Sequence, residues 1–263
     1  MKDATPQPTQ LASYQPYPYR ITDVSLTFRL SPNATRVLSR IVFEPNPDRP
    51  GRHDLRLDGD GLTLIHASVD GRACTLTPDA EGLTLLADGL PGGPFTFEAE
   101  VEIDPAANTA LEGLYMSGGI YCTQCEAEGF RHITFYPDRP DVMAPFKVRI
   151  ESDMPVLLSN GNPTDRGEGW AEWTDPWKKP AYLFALVAGD LVAVRDSFTT
   201  RSGRPVDLAI WVRNGDEDRC AYAMDSLKRS MKWDEDTYGR EYDLDIFNIV
   251  AVDDFNMGAM ENK

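Results

Sequence analysis

Long apolar runs, basic residues and cysteines are all scarce in this chain of 263 residues, and each shortage excludes a class of protein. No apolar run approaches the roughly 18 residues of a transmembrane helix, so we expect no membrane-spanning segment. Acidic residues outnumber basic ones by 42 to 26, which gives a net charge of −16. Nucleic acid and anionic membranes both require a basic surface, so neither is an expected partner. A cationic group such as a free α-amine is compatible with this charge, although solubility alone would explain it equally well.

The four cysteines are too few for a disulfide framework in a chain of this length. The first residues also lack the apolar stretch of a secretory signal, so we predict a cytoplasmic protein. Two of the cysteines form the pair Cys122-x-x-Cys125. A structural zinc site needs four ligands, and a thioredoxin-like motif needs a βαβ context, neither of which this region offers. We interpret the pair as reduced loop thiols, with a zinc or redox site as the alternative.

The short motifs that mark common catalytic centres are missing. The three histidines, His53, His66 and His132, are scattered, so the metalloprotease pattern H-E-x-x-H is not present. The G-x-S-x-G elbow, the phosphate-binding P-loop and the dinucleotide pattern G-x-G-x-x-G are absent as well. The side chains on their own therefore identify no catalytic centre and no metal site.

What the chain does have is a repeated alternation of apolar and polar residues, with the period of two that is typical of β-strands. The clearest strand covers residues 95–103, where the glutamates face outward: Glu98, Glu100 and Glu102. Shorter strands, separated by Gly, Asp and Pro turns, are predicted at 24–30, 37–43, 62–65, 83–86, 146–150, 156–158, 170–173 and 182–190. Residues 1–190 are therefore predicted to form an antiparallel β-sandwich or saddle, with an irregular arm at 1–15.

Beyond Asp190 the pattern becomes a mixture of strand and helix, and we place a domain boundary there. Strands are predicted at 196–200 and 206–212, and a buried one at 246–252. A helix is indicated by apolar residues at helical spacing: Ala221, Met224, Leu227 and Met231. The acids at 216–218 are expected to cap its start, and Tyr238-Gly239 to end it. Residues 191–263 thus read as an α+β unit.

A long polar excursion separates two groups of strands at residues 104–140. Loops of this length are usually functional or disordered, and its many aromatic residues argue against disorder. Gln124, Glu126 and Glu128 stand two residues apart, so in an extended chain they would point the same way. Solvated loop acids are the simpler interpretation of this triplet.

The last segment, residues 256–263, follows the predicted strand 246–252. Gly258 and Ala259 leave its backbone almost uncovered, and a bare strand edge can pair with an extended peptide. Glu261 follows directly, placed to meet a group at the end of such a peptide. A glycine-containing loop with one acid is the alternative.

Several stretches of the chain, taken in order, resemble the bacterial aminopeptidase N branch of the M1 family of zinc aminopeptidases. The most specific is Gly258-Ala259-Met260-Glu261-Asn262, which matches the G-A-M-E-N signature of that family. The other matching stretches are 103–115, 122–134, 136–142, 182–190 and 230–235. The resemblance covers nearly the whole chain. It corresponds to the family's N-terminal β domain and the opening of its thermolysin-like catalytic domain.

The resemblance implies a role for each of these residues. The edge formed by Gly258 and Ala259 would bind the substrate backbone, and Glu261 would hold the free α-ammonium of a peptide. Glu126, with Gln124 beside it, would supply a second carboxylate to the same ammonium. Met257 would line the pocket for the first side chain, and Met260 and Asn262 complete the motif.

The resemblance also implies that the zinc ligands of the family lie beyond Lys263. We therefore predict that the chain is the N-terminal part of a zinc-dependent aminopeptidase, and that alone it binds no zinc and cleaves nothing. Its expected partners are peptides with a free amino terminus and the remainder of its own catalytic domain. The alternative is a non-catalytic β-sandwich module that binds peptide amino termini.

Overall fold

The computed structural model describes residues 10–263, and strands dominate them. The part of the predicted irregular arm that falls on residues 1–9 lies outside this range. The strands are β1 (Tyr19–Arg29), β2 (Thr35–Pro45), β3 (Leu55–Asp58), β4 (Thr63–Val69), β5 (Arg72–Ala73), β6 (Gly82–Leu85), β7 (Phe95–Ile103), β8 (Gly113–Ser117), β9 (Ile120–Gln124), β10 (Met143–Glu151), β11 (Val156–Ser159), β12 (Asn162–Gly167), β13 (Trp170–Pro180), β14 (Leu186–Gly189), β15 (Val192–Thr199), β16 (Pro205–Val212) and β17 (Ile246–Val250). One α-helix, α1 (Ala221–Tyr238), accompanies them, with short 3₁₀ turns at Leu11–Ser13, Ala87–Gly89, Gly129–His132, Ala181–Leu183 and Glu217–Arg219. The prediction of a mainly β chain is confirmed.

The largest sheet has eight strands in the order β12-β13-β10-β1-β2-β7-β4-β5. Its pairs are antiparallel except for β1 and β10, which run parallel from Val24–Phe146 to Arg29–Glu151. The predicted alternation in β7 is confirmed, because its apolar residues are buried while its glutamates lie on the outer face. On that face Arg36 contacts the carboxylate of Glu100 at 2.8 Å.

A second sheet, in the order β11-β14-β9-β8, shares one buried hydrophobic core with the first. A cluster of buried aromatic rings packs at their junction: Phe28, Phe130, Tyr136, Phe146 and Phe184. The hairpin of β8 and β9 lies inside the region predicted as a long loop, so that prediction is wrong for residues 113–124. The strands were not recognised because β9 is buried on both faces and therefore lacks the polar half of the alternation.

The continuous strand predicted over 182–190 is also wrong in its first half. Residues Ala181–Leu183 form a 3₁₀ turn, and only Leu186–Gly189 pair in a sheet. The turn directs Phe184 into the aromatic cluster, and the side chain of Asn160 accepts the Ala185 N–H at 2.7 Å. Its apolar character reflects core packing rather than sheet pairing.

The last part of the chain forms a three-stranded sheet, β15-β16-β17, with α1 packed on one face. The helix ends before Gly239, which has a left-handed φ of 65°, as predicted. The predicted acidic cap is wrong: Glu217–Arg219 form a separate 3₁₀ turn, and α1 has Cys220 at its N-cap without a side-chain bond. Strand β17 ends at Val250 and is half-exposed rather than buried, since it lies at the edge of this sheet. A domain boundary near Asp190 stays a prediction.

Candidate functional site

Gln124 ends strand β9 and is fully buried, yet its side chain has no partner. Neither Nε2 nor Oε1 makes a hydrogen bond within the described part of the chain. A buried polar group left unpaired costs roughly 1–3 kcal/mol, so such a carboxamide is a candidate for binding something from outside. Its backbone pairs with Gly113, the first residue of β8.

The acids that follow Gln124 do not share its direction, so the expected common face of the triplet is wrong. Glu126 and Glu128 are both exposed, because β9 ends at Gln124 and the chain turns into the 3₁₀ segment Gly129–His132. The peptide bond from Glu126 to Ala127 is cis. Glu128 contacts Arg131 at 3.4 Å, whereas no salt bridge within residues 10–263 involves Glu126. Glu126 is therefore an exposed carboxylate two residues after a buried, unpaired amide.

The segment that carries the G-A-M-E-N motif is anchored near the hairpin of β8 and β9. At its start, Asp254 bonds with Ser117 of β8, and the hydroxyl of Tyr115 donates to the Asp254 carbonyl at 2.8 Å. Asn256 then donates to the carbonyl of Leu111 at 3.2 Å, just ahead of β8. These contacts run from the turn end of β8 towards the end where Gly113 pairs with Gln124.

The other end of the segment is anchored beside strand β14. The Asn262 side chain lies 3.3 Å from the carbonyl of Leu183 and 3.2 Å from that of Phe184, and donates to both. Asn160 donates to the carbonyl of Lys263. Strand β14 in turn pairs with β9, and Thr123 accepts the N–H of Leu186 at 2.8 Å. Both anchors therefore rest on the sheet that also carries Gln124.

Between the anchors the segment is open to solvent. Gly258, Ala259 and Glu261 are exposed, Met257 is 39% exposed, and Met260 is half-buried. The predicted strand form of this segment is wrong, since residues 252–263 form no strand in the described chain. A strand forms only when a neighbouring strand pairs with its backbone. This segment is held instead by side-chain hydrogen bonds to the β8 hairpin and to residues beside β14. The backbone at Gly258 is nonetheless bare, since no heavy atom beyond its own and those of its two chain neighbours lies within 4 Å of the place a Cβ would occupy.

No metal centre fits the described residues. Within residues 10–263 no three His, Cys, Asp or Glu side chains are grouped so that they could hold an ion. Cys122 and Cys125 are buried, and burial raises the pKa of Cys122 to about 11 and that of Cys125 well above its usual value. Protonated, buried thiols bind metals poorly, which favours the interpretation as reduced thiols. The zinc expected from the resemblance has no ligand set here.

No helix in residues 10–263 is both long and apolar enough to cross a membrane.

Two protein-family models match the chain, and they define its class. The Peptidase M1 N-terminal domain matches residues 72–183, and the Peptidase family M1 domain matches residues 222–263. The first covers strands of both sheets and the Gln124–Glu126 region, and the second covers α1, β17 and the terminal motif. The chain belongs to the M1 peptidase family.

Individual relatives narrow the likeness to the aminopeptidase N group. The chain is 53% identical to aminopeptidase N of Caulobacter vibrioides over its whole length, and 52% identical to that of Escherichia coli over 98% of it. It spans only 31% and 30% of the length of these two proteins. A crystal structure of Legionella pneumophila aminopeptidase A in complex with aspartic acid superposes with a TM-score of 0.90. That match has 32% identity and covers 97% of this chain and 31% of the other.

The residues that sequence reasoning missed are the anchors rather than the motif. Ser117 and Asn160 lie outside the stretches that resemble the family, Tyr115 only ends one of them, and the partners of all three lie more than 100 positions away in the chain. No short-range pattern could have identified them.

Proposed function

We propose that this chain forms the amine-recognition part of a zinc-dependent aminopeptidase, which removes residues from the free amino terminus of peptides. The observation that carries the proposal is the anchoring of the exposed Glu261 segment beside the sheet that bears Gln124, two residues before Glu126. Glu126, two residues past the end of β9, and Glu261, one residue before the anchor Asn262, are exposed carboxylates from distant parts of the sequence. The names of the M1 relatives agree with this function.

The chemistry follows from charge. Two carboxylates that flank one ammonium form charge-assisted hydrogen bonds with it, which are about twice as strong as neutral ones. An internal peptide amide carries no charge and offers one N–H, so it would leave the two acids repelling each other. The site would therefore select a free amino terminus over an internal position. The unpaired carboxamide of Gln124 would add a further hydrogen bond to the bound terminus.

The rest of the motif would position the peptide. The bare backbone of Gly258 and Ala259 offers N–H and C=O groups to the substrate main chain, and Met257 and Met260 offer adaptable apolar surface to its first side chain. Asn262 holds the segment in place through the carbonyls of Leu183 and Phe184.

Zinc enters this proposal through the family alone. Because the described residues offer no ligand set, no step of the chemistry is assigned to the metal here, and we predict no hydrolysis by the 263-residue chain by itself. A cytoplasmic location is part of the same proposal. It is supported by four free cysteines, all of which lie in the described part.

A titration of the chain with alaninamide, followed by NMR, tests the proposal. N-acetylalaninamide is the control ligand, since its acylated nitrogen carries no ammonium charge. Glu126→Gln and Glu261→Gln should each weaken alaninamide binding by about 10- to 100-fold, the value of one hydrogen bond to a charged group. The exposed Glu168, on the turn after β12, provides the control variant Glu168→Gln, which should bind as the wild type does. Equal binding of the acetylated ligand, or no effect of either variant, would overturn the proposal.

A further inference from the structure

Ser117 and Asp254 are joined by a reciprocal pair of hydrogen bonds. The Ser117 hydroxyl donates to Asp254 Oδ2 at 2.8 Å and accepts the backbone N–H of Asp254 at 2.9 Å. Ser117 is 2% exposed, so water competes little for these bonds. The pair connects the last residue of β8 to the stretch between β17 and the G-A-M-E-N motif.

The neighbouring contacts show that this stretch is closely fitted to the turn of the hairpin. Tyr115, which is fully buried, donates its hydroxyl to the carbonyl of Asp254. Gly118 follows Ser117 with a φ of 56°, and a Cβ there would lie 3.1 Å from a carboxylate oxygen of Asp253. Asp253 also contacts Arg213 at 2.6 Å. Residues 253 and 254 are therefore held from several directions.

The same hairpin carries the proposed amine-binding residues at its other end. Ser117 pairs with Ile120 next to the turn, and Gly113 pairs with Gln124 at the open end, two residues before Glu126. One two-stranded unit thus fixes Gln124 and, through Ser117, the start of the segment that ends in Glu261. The two halves of the proposed site share a common support.

We propose that Ser117 is a positioning residue for the amine site: it holds Asp254 and thereby sets where Met257–Glu261 lie relative to Gln124 and Glu126. This inference rests on the proposed function. Without the Ser117 hydroxyl, the start of the segment keeps the contacts of Tyr115 and Asn256 but loses both bonds between Ser117 and Asp254, so it samples other positions more often. The apparent affinity for an amine then falls in proportion to the fraction of chains in which the segment is correctly placed.

The expected effect is local. Ser117→Ala should accelerate amide hydrogen exchange in residues 253–262 and weaken alaninamide binding by about 5- to 30-fold, as expected for one or two hydrogen bonds of ordinary strength. Asp254→Ala should have a similar effect, and the double variant should be little worse than either single one. Asp254→Asn keeps a side-chain acceptor and the backbone N–H. Unlike Asp254→Ala, it should show the slow hydrogen exchange and the alaninamide affinity of the wild type.

A second buried serine separates this role from the general cost of losing a hydroxyl. Ser39 is 3% exposed in the eight-stranded sheet and donates to the Ala99 carbonyl, far in sequence from the terminal segment. Ser39→Ala should leave both exchange at 253–262 and alaninamide affinity unchanged.

The outcomes separate this inference from the function on which it rests. A wild-type chain that binds no alaninamide refutes the proposed function, and the inference falls with it. A wild-type chain that binds alaninamide, together with a Ser117→Ala variant that binds equally well, overturns the positioning role alone. Unchanged hydrogen exchange in Ser117→Ala, or additive effects in the double variant, overturns it too.

Discussion

Replacing Lys179 with methionine should cost the chain about 3–5 kcal/mol of unfolding free energy, because it leaves a buried carboxylate unpaired. Lys179 Nζ lies 3.0 Å from Asp175 Oδ2, and the two side chains are 1% and 0% exposed. After the substitution the backbone N–H of Trp177, 3.0 Å from Asp175 Oδ1, would be the remaining hydrogen-bond donor to this carboxylate among the described residues. The ammonium also sits 4.3 Å from the centre of the Phe146 ring, a cation–π contact that methionine cannot reproduce.

The cost should also depend on pH. Burial lowers the pKa of Lys179 to about 8, although Asp175 opposes the shift. Between pH 8 and the ordinary value of 10.5, the unfolded chain holds a proton that the folded chain has released. Lys179 therefore makes stability increase as the pH rises through this window, and this contribution is lost as the pH falls to 8. The difference between wild type and Lys179→Met should grow from pH 7 to pH 10.

Urea unfolding at several pH values measures this difference. Lys147 on β10 provides the matched control, since its side chain is 54% exposed and its ammonium lies 3.3 Å from Glu172. Lys147→Met should cost less than about 1 kcal/mol, as exposed pairs do. The double variant Lys179→Met/Asp175→Leu removes both buried charges and should recover most of the loss. The reasoning fails if Lys179→Met costs no more than Lys147→Met, or if the double variant is no better than the single one.

This buried pair also bears on the candidate site. Lys179 is followed by Pro180 and the turn Ala181–Leu183, and the carbonyls of Leu183 and Phe184 accept from Asn262. Loosening the end of β13 should therefore loosen the distal anchor of the motif segment. Hydrogen exchange in residues 260–263 should increase in Lys179→Met and not in Lys147→Met.

Two further stability predictions follow from burial and close packing. Because burial raises the pKa of Cys122 to about 11, its contribution to stability is complete below pH 9 and is lost as the pH rises towards 11; urea unfolding should show a smaller loss over this range in Cys122→Ala. Gly129→Ala should cost about 1–3 kcal/mol in the same assay, since a Cβ there would lie 2.6 Å from the carbonyl oxygen of Gln124. Gly92→Ala, with open space around it, should cost little, and equal costs for the two glycines would contradict this account.

Much of the fold could be predicted from alternation, and the failures have physical causes. Strand β7 follows the rule because one face packs on the core and the other meets water. Alternation does not detect strand β9, because both of its faces are buried and it has no polar face. Residues 181–184 give the opposite error: the apolar pattern predicts a buried strand, but the residues form a 3₁₀ turn that packs in the core and has the same composition as a buried strand.

The helix shows a similar division. Its apolar spacing and its end at Gly239 depend on local geometry and were predictable. Its start was not, because the acids at 216–218 were used in a separate 3₁₀ turn, where Asp216 contacts Arg219 at 2.8 Å instead of capping α1. The half-exposed state of β17 depends on its place at the edge of the sheet, which no pattern within the strand encodes.

In the candidate site, too, some features depend on local sequence and others on contacts between distant residues. This difference determines which substitutions can test the site. The motif residues could be named from the sequence because their side chains, or the absence of one at Gly258, carry their proposed roles. The contacts that place them mostly end on main-chain carbonyls, at Leu111, Leu183 and Phe184, which any residue type would present. In each of these contacts the residue type matters only for the donor, such as the side-chain amide of Asn256 or Asn262. The sequence therefore gives no sign of which residue supplies the acceptor. Tyr115, Ser117 and Asn160 are the exceptions, since their own side chains make the bond on the supporting side. Removal of the Ser117 hydroxyl can therefore test the support of the site without altering the site itself.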